Sequence, residues 1–380
     1  TVYLLEELMN IVLKYFFDLQ KYKKQVEHIF ESPMNLDTFT KMIYMKRRIK
    51  YIFVVLSLVS FLSFGQTRID SISKTMDLIQ PKYLKKGDSI MIVASAGILI
   101  NRNEIIDEAQ KLAESWGLKV FIGDHVFNQN NHFAGTDEER ASDFQKALDN
   151  PSIKAIWCAR GGYGSGRILD KLDYTKFKVS PKWIIGYSDI TAFHSHIHNL
   201  GFQTIHAMMA TSLLFDSKET EQSIETFRKA LFGEELSYKI SSSVYNKIGE
   251  SEGILVGGNL SILQNMLGSV SQLNTDGHIL FIEEIGEYKY HIDRMLRGLK
   301  RAGYFNSCKG LIIGDISNIK KNTTVWGGSI EDLVLDVVSE FDFPVLFNFP
   351  AGHETDNRAL IFGKSIKLNV KSTISEVIFK

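Results

Sequence analysis

Residues 183–193 read Trp-Ile-Ile-Gly-Tyr-Ser-Asp-Ile-Thr-Ala-Phe, and this stretch indicates how the chain around it folds. Its apolar first half is typical of a buried strand, and the residues from Ile190 to Asn199 favour a helix. Ser188 therefore falls on the turn between a strand and a helix. A hydroxyl on such a turn projects from the sheet beside free N–H groups of the helix, where it can act as a nucleophile. A Ser-Asp pair that caps an ordinary helix is the alternative interpretation.

The composition limits the class of protein. With 380 residues the chain can hold two domains with sizeable cores. Lys plus Arg and Asp plus Glu both total 44, so the net charge is zero and no basic excess indicates a nucleic-acid partner. The two cysteines, Cys158 and Cys308, are too few for a disulfide framework, and we predict that both are free thiols. The Cys and His spacings do not fit zinc, and we predict no metal and no cofactor.

A segment near the start of the chain has the layout of a secretory signal peptide. Residues 45–50 read Met-Lys-Arg-Arg-Ile-Lys, an apolar run of about 14 residues follows, and Gly65 and Gln66 come after it. We predict that residues 45–66 are a signal peptide cleaved near its end, which makes the protein periplasmic or secreted. It is cytoplasmic if this segment is not used. An uncleaved membrane anchor is the alternative, although a transmembrane helix needs roughly 20 apolar residues.

The chain divides into successive regions by composition. A polar stretch, 233–251, is predicted to cross between two domains. The predicted regions are upstream sequence without a folded role before a start at Met45 (1–44), the signal peptide (45–66), a linker (67–82), an N-terminal α/β domain with the nucleophile (83–235) and a C-terminal domain (250–380).

Strands and helices alternate through the N-terminal domain. Residues 88–94 and 118–122 have the apolar composition of strands, and apolar residues recur at helical spacing across 103–116. This order predicts a parallel α/β sheet. Thr136, followed three residues later by Glu139, predicts a capping box at the start of another helix. The acidic residues there have a structural explanation, and we assign them no catalytic role.

A glycine-rich loop follows the next predicted strand, 155–159. Residues 160–167 read Arg-Gly-Gly-Tyr-Gly-Ser-Gly-Arg, and glycine lets a backbone approach a ligand closely. The loop lacks the Lys and Ser or Thr of a phosphate-binding P-loop, and it misses the G-x-G-x-x-G frame. We interpret it as a cradle for an oxyanion or a substrate backbone. A merely tight loop is the alternative.

Four histidines follow the nucleophile turn and suggest a metal site: His194, His196, His198 and His206. On a helix only His194 and His198 share a face, at the i, i+4 spacing. The glutamate of the zincin arrangement is missing between them, and no acidic third ligand accompanies them. We therefore favour packed or solvated histidines over metal ligands.

Two segments of the C-terminal domain end in residues with catalytic chemistry. Residues 278–287 read His-Ile-Leu-Phe-Ile-Glu-Glu-Ile-Gly-Glu, so Glu283 or Glu284 lies at the end of an apolar strand. A buried carboxylate is costly unless it is paired, which makes either one a site candidate. Solvated loop carboxylates are the alternative. Residues 343–354 form an extended segment that ends in Gly-His-Glu, which puts His353 on a loop.

In chain order, Ser188, a strand-end glutamate and His353 supply a nucleophile, an orienting carboxylate and a general base. This combination favours acyl transfer. The predicted fold is an N-terminal parallel-sheet α/β domain plus a smaller, β-rich C-terminal α/β domain, with the active site at their interface.

Five segments resemble, in the same order, those of the bacterial LD-carboxypeptidase (murein tetrapeptide carboxypeptidase) family of serine peptidases. The likeness runs from about Pro81 to the C-terminus. The segments are Arg160-Gly161-Gly162-Tyr163-Gly164, Gly186-Tyr187-Ser188-Asp189-Ile190-Thr191, Gly257-Gly258-Asn259-Leu260, Glu283-Glu284-Ile285-Gly286-Glu287 with Asp293-Arg294, and Gly352-His353.

The resemblance implies an enzyme that removes the terminal D-alanine from murein tetrapeptides by cutting an L-to-D peptide bond during peptidoglycan recycling or remodelling. It also implies an N-terminal α/β domain, a C-terminal domain that carries Glu and His, and a homodimer. Members of the family are often cytoplasmic, whereas the signal-like segment of this chain predicts export, with no stable membrane span after cleavage.

Carried over position by position, the resemblance implies a Ser-Glu-His triad. Ser188 corresponds to the nucleophile, Glu283 to the triad acid and His353 to the base. Glu283 is preferred to Glu284 because it matches the first acidic residue after the family's strand. The backbone amides implied for the oxyanion hole are those of Asp189 and of Gly161 or Gly162.

Two other functions remain open at this point. The microcin-immunity branch of the same family has the same triad but cleaves a peptide-nucleotide amide. A non-catalytic protein that binds wall peptides through its glycine loop is a hypothesis of a different class.

Overall fold

The computed structural model describes residues 78–214 and 218–380, which belong to one compact unit. The predicted upstream segment (1–44), the signal peptide (45–66) and most of the predicted linker lie outside the described residues. In the described part of the chain, no helix has the length and apolar character needed to cross a bilayer.

Strands and helices alternate in the first half of the described chain. In order they are β1 (Ser89–Val93), α1 (Asn103–Ser115), β2 (Lys119–Ile122), α2 (Asp137–Asp149), β3 (Ile153–Cys158), α3 (Ser165–Ile168), α4 (Thr175–Val179), β4 (Trp183–Gly186), α5 (Thr191–Asn199), β5 (Thr204–His206) and α6 (Lys218–Phe232). Short 3-10 turns occur at Leu169–Lys171, Ser188–Ile190 and Ala210–Leu214.

The second half of the described chain is richer in strands. In order it contains β6 (Ser237–Ser241), β7 (Gly249–Asn259), α7 (Leu260–Asn265), β8 (His278–Ile285), α8 (Lys289–Arg301), β9 (Gly310–Ser317), α9 (Ile330–Val337), β10 (Val345–Leu346), β11 (Leu360–Phe362), β12 (Ser365–Val370) and β13 (Ile374–Phe379).

The first sheet has the strand order β11-β5-β4-β3-β1-β2, and β1 to β5 run parallel as the sequence predicts. The carboxyl ends of parallel strands meet at one edge of a sheet, where α/β proteins place their ligands. The glycine loop follows β3 and Ser188 follows β4, so the two loops are neighbours at this edge.

The second sheet has the strand order β10-β9-β8-β7-β12-β13-β6. Strands β7 to β10 are parallel, whereas β12, β13 and β6 join by antiparallel pairing. Glu283 lies near the carboxyl end of β8 and Asp315 near that of the adjacent β9. The protein is thus a two-domain α/β protein with mixed sheets, which confirms the predicted fold class.

Two strands differ from the expected domain pattern. The polar stretch 233–251 contains β6, where Tyr238 and Ile240 are buried while their neighbours are exposed. Its polar and apolar residues alternate as in a strand with one exposed face, so this short strand was detectable within the polar stretch. Strand β11 comes from the C-terminal region but pairs antiparallel with β5 of the first sheet. The C-terminal region therefore contributes one strand, β11, to the first sheet.

One hydrophobic core runs through both sheets. Trp157 and Trp183 of the first sheet belong to the same buried cluster as Phe281 and Phe349 of the second half of the chain, and Phe362 of β11 packs among them. Burial of aromatic side chains of this size dominates core energetics. The shared core fixes the carboxyl ends of β4 and β8 relative to each other.

Candidate active site

Three side chains from distant parts of the chain form a continuous hydrogen-bonded row. The Ser188 Oγ lies 3.0 Å from His353 Nε2, and His353 Nδ1 lies 2.7 Å from Glu283 Oε2. A carboxylate only accepts hydrogen bonds, so Nδ1 carries the ring proton and donates a hydrogen bond to Glu283. Nε2 of the neutral ring is then free to accept the proton of Ser188. The structure therefore brings together the three residues that the sequence proposed as a triad.

Ser188 sits on a strained turn that holds its hydroxyl out of the sheet. Its φ of 60° lies in the left-handed region, which non-glycine residues adopt at a cost. Gly186 permits this tight turn, because a Cβ at that position would lie only 2.7 Å from Ile190 Cγ1. The local sequence thus combines a glycine that permits the turn with a half-buried serine at its tip.

His194 supports this turn from below. Its Nε2 donates to the Gly186 carbonyl at 2.9 Å, and its Nδ1 lies 2.9 Å from Thr204 Oγ1. Burial lowers the pKa of His194 to about 4, so the ring is neutral.

His196 was another of the four histidines that suggested a metal site, and its Nδ1 lies 2.8 Å from Ser271 Oγ. Among residues 78–214 and 218–380, no three His, Cys, Asp or Glu side chains form a cluster that could hold a metal ion.

The adjacent carboxylates at the end of β8 have different partners. Glu283 is fully buried, and its Oε1 has no hydrogen-bond partner among the described residues, so His353 is its one partner there. Glu284 accepts from Asn259 Nδ2 at 3.0 Å and from the Ser261 N–H at 2.8 Å. Glu284 therefore holds the turn between β7 and α7, while Glu283 faces the histidine.

The environment of His353 favours its protonated form. Burial lowers the pKa of the imidazole, but the hydrogen bond and charge of Glu283 raise it, and so do the charges of Glu284 and Asp315. The combined effect is a pKa above the ordinary value of histidine. The ring is therefore a stronger base than a free imidazole.

The glycine loop packs against Ser188. A Cβ on Gly161 would lie 3.3 Å from Ser188 Oγ and 3.4 Å from the backbone nitrogen of Asp189. Gly162 has a φ of 103°, which favours glycine. The Gly97 N–H donates to the Gly161 carbonyl at 3.0 Å, which ties the loop to the end of β1. Gly161 and the backbone of Asp189 thus lie beside Ser188, and Gly162 follows in the same loop.

A buried polar network lies beneath the two loops. The Asp189 carboxylate accepts from the Ser165 N–H at 2.8 Å, so it links the nucleophile turn to the start of α3. Burial raises the pKa of Asp189.

Arg140 is buried next to the same loops. Its guanidinium donates to the carbonyls of Ser95 and Gly164 at 2.6 and 2.9 Å, and it forms an ion pair with Asp137, the first residue of α2. These bonds fix the position of both loops.

Arg140 supports the site but is not among the residues predicted from the sequence. Its helix begins with the predicted capping box, which is confirmed because Glu139 N donates to Thr136 Oγ1 and Thr136 N donates to Glu139 Oε2. Arg140 precedes the buried residues Phe144 and Leu148 at intervals of four. An arginine in phase with an apolar stripe was the signal that this side chain is buried.

Comparison with known proteins gives matches in both halves of the described chain. Residues 90–207 match the LD-carboxypeptidase N-terminal domain, and residues 252–368 match the LD-carboxypeptidase C-terminal domain. A Bacillus subtilis (strain 168) protein named as a probable murein peptide carboxypeptidase is 35% identical over 298 residues, which cover 76% of this chain and 91% of that protein.

Solved structures show the same fold. The crystal structure of muramoyltetrapeptide carboxypeptidase from Oxalobacter formigenes matches with a TM-score of 0.70 and 29% identity, over 77% of this chain and 98% of that one. The microcin C7 self-immunity protein, solved in complex with aspartyl sulfamoyl adenosine, matches with a TM-score of 0.72 over 80% and 98% of the two chains. Its identity of 23% supports a shared fold alone. By its two domains and its relatives, this chain belongs to the LD-carboxypeptidase family.

Proposed function

We propose that this chain is a serine-type LD-carboxypeptidase that releases the terminal D-alanine of murein tetrapeptides through an acyl-enzyme. The observation that carries the proposal is the row Ser188–His353–Glu283, with contacts of 3.0 and 2.7 Å. The names of the B. subtilis and O. formigenes relatives supply the substrate class. Its test is the release of D-alanine from a synthetic tetrapeptide by the wild-type protein.

In the acylation step, the Ser188 Oγ attacks the carbonyl carbon that precedes D-alanine. His353 Nε2 takes the hydroxyl proton as the new C–O bond forms, and Glu283 stabilises the resulting imidazolium. The tetrahedral intermediate then collapses. The C–N bond breaks, and the imidazolium gives its proton to the departing amine of D-alanine.

In the deacylation step, a water molecule replaces the amine. His353 takes a proton from the water, and the oxygen attacks the ester carbonyl. Collapse of the second intermediate breaks the C–O bond to Ser188, which regains a proton from the imidazolium. The products are D-alanine and a tripeptide with a free carboxylate, and the enzyme returns to its starting state.

We assign the oxyanion hole to the backbone amides of Asp189 and of Gly161 or Gly162. Asp189 directly follows Ser188 in the 3-10 turn Ser188–Ile190, and Gly161 packs against Ser188. Donors that are already in place at a developing negative charge are among the largest contributors to catalysis. The hydrogen bonds of Gly97 and Ser165 hold both loops, so these amides need no reorganisation.

Gly161→Ala is expected to lower kcat by about 10²-fold or more with the fold intact, the effect typical of losing one oxyanion contact. The new methyl would lie 3.3 Å from Ser188 Oγ, and so beside the substrate carbonyl whose oxygen becomes the oxyanion. Gly166→Ala is the matched control, because its methyl would approach only Met266 Cε, at 3.7 Å. Steady-state kinetics on the tetrapeptide measures both variants. Equal kcat values for them would contradict this assignment of the oxyanion hole.

The alternatives have weaker support. A peptide-nucleotide amidase is supported by the fold of the microcin immunity protein alone. A non-catalytic wall-peptide binding protein has no use for a serine, a histidine and a buried glutamate in hydrogen-bond contact. Tetrapeptide hydrolysis favours the carboxypeptidase over both.

We place the enzyme in the periplasm or outside the cell because residues 45–66 have the layout of a signal peptide. N-terminal sequencing of the protein recovered from the exported fraction is expected to begin near Gln66. Recovery of exported protein that still carries residues 45–66 would refute cleavage there. For assembly we propose a homodimer, which rests on the family resemblance.

A further inference from the structure

Asp315, at the end of β9, holds both sides of the loop that carries His353. Its backbone N–H donates to the Ala351 carbonyl at 2.9 Å. Its side-chain Oδ2 accepts from the Glu354 N–H at 3.0 Å. The residue thus binds the backbone before and after the histidine.

Two glycines let the strand and the loop come this close. A Cβ on Gly352 would lie 2.9 Å from Asp315 Cβ, and a Cβ on Gly314 would lie 2.3 Å from the Ala351 carbonyl oxygen. Gly352 has a φ of 144°, a conformation that L side chains rarely adopt. The local sequence on both sides is therefore specialised for direct contact between Asp315 and the loop.

We propose that Asp315 is a positioning residue for His353: it fixes the loop so that the imidazole reaches Ser188 and Glu283 at the same time. This inference rests on the proposed peptidase function. The ring must keep contacts of 3.0 and 2.7 Å on opposite sides, and a loop without this hold would lose one of them. Errors of about 1 Å in such alignment cost roughly 10²-fold in rate.

The charge of Asp315 also acts on the histidine. Burial raises the pKa of Asp315 to about 6; the hydrogen bond from the Glu354 N–H opposes this rise, and the charges of Glu354 and Glu283 add to it. When it is ionised, Asp315 favours the imidazolium form of His353 and raises the pKa of the ring. Removal of the charge must therefore lower that pKa. The other titratable groups around His353 are Glu283 and Glu284 of β8, Glu354 of its own loop, Tyr187 before the 3-10 turn and His206 of β5.

Two substitutions separate the hold from the charge. Asp315→Ala removes the charge and the side-chain bond to the Glu354 N–H, while its backbone N–H still binds the Ala351 carbonyl, and we expect kcat to fall about 10- to 100-fold with KM little changed, as when supporting groups of an active site are lost. Asp315→Asn keeps an oxygen that can accept from the Glu354 N–H, and we expect it to recover most of this loss. Wild-type kcat in folded Asp315→Ala would overturn the proposal, and so would an equal loss in both variants.

NMR titration of the His353 ring gives a measurement that needs no substrate. In Asp315→Asn the ring is expected to titrate at lower pH than in the wild type, and an unchanged titration would overturn the charge effect. Glu354→Gln is the matched control, since it removes a neighbouring charge whose side chain does not hold the loop, and its kcat should stay near wild type. If wild-type protein fails to hydrolyse the tetrapeptide, the proposed function fails, whereas the titration still tests Asp315.

Discussion

Ser188→Ala is expected to abolish measurable hydrolysis of a murein tetrapeptide, with a loss on the order of 10⁴- to 10⁶-fold in kcat. The variant lacks the oxygen that forms the acyl-enzyme, while His353 and Glu283 keep their mutual hydrogen bond. Release of D-alanine, followed by chromatography, measures the effect. Alanine occupies the same strained backbone conformation as serine, so the free energy of unfolding should change little.

Ser188→Gly provides the matched control for strain. Glycine adopts a φ of 60° without the penalty of a Cβ, so this variant should be equally inactive but more stable, by about 1 kcal/mol. Thermal unfolding of the two variants measures the difference. Greater stability together with lost activity would show that the nucleophile's turn is strained for function. Substantial activity in Ser188→Ala would remove Ser188 from the mechanism and favour the wall-peptide binding hypothesis.

The sequence predicts the parts of the fold that depend on local patterns. The strand at 183–186, the turn at Ser188 and the helix after it follow from an apolar run and a glycine, both visible within a few residues. The partner of a strand is a non-local property. Strand β11 has three apolar residues, Leu360–Phe362, that would suit either sheet, and its pairing with β5 depends on the packing of the whole chain.

The same limit applies to the site. Glu283 and Glu284 are neighbours at a strand end and both are buried, so burial alone does not distinguish them. Side chains alternate across a strand, and the face of each depends on register. The family resemblance selected Glu283, and the structure puts that residue on His353. Asp315 gave no signal, because an aspartate after an apolar strand is common at sheet edges and its partner loop lies far along the chain.

The packing around the site favours a preassembled catalyst. Ser188 and His353 are in contact without any closure of the two sheets, and β11 and the shared core prevent the sheets from moving apart freely. Buried groups such as Arg140 and His194 hold the loops from beneath. An enzyme of this design needs little rearrangement of its catalytic groups when substrate binds.

Glu283→Gln is expected to lower kcat about 10³- to 10⁴-fold while the protein stays folded, the size of effect seen when a triad acid becomes an amide. A glutamine amide can donate to His353 Nδ1, which shifts the ring proton to Nε2. An Nε2 that carries a proton cannot accept one from Ser188, so the general base is lost although every atom keeps its place. Steady-state kinetics, with circular dichroism to verify folding, measures this result.

Glu284→Gln is the matched control, because it makes the same chemical change one residue away. The carboxylate of Glu284 accepts from Asn259, from the Ser261 N–H and from the Ile285 N–H, and an amide nitrogen cannot accept from any of them. Its variant should lose about 1–3 kcal/mol of stability, as expected for unsatisfied buried donors, with kcat within about tenfold of the wild type. If Glu284→Gln instead caused the larger loss of kcat, the triad acid would be Glu284. The imidazole of His353 would then be oriented by Glu284, and not by Glu283, whose Oε2 lies 2.7 Å from His353 Nδ1.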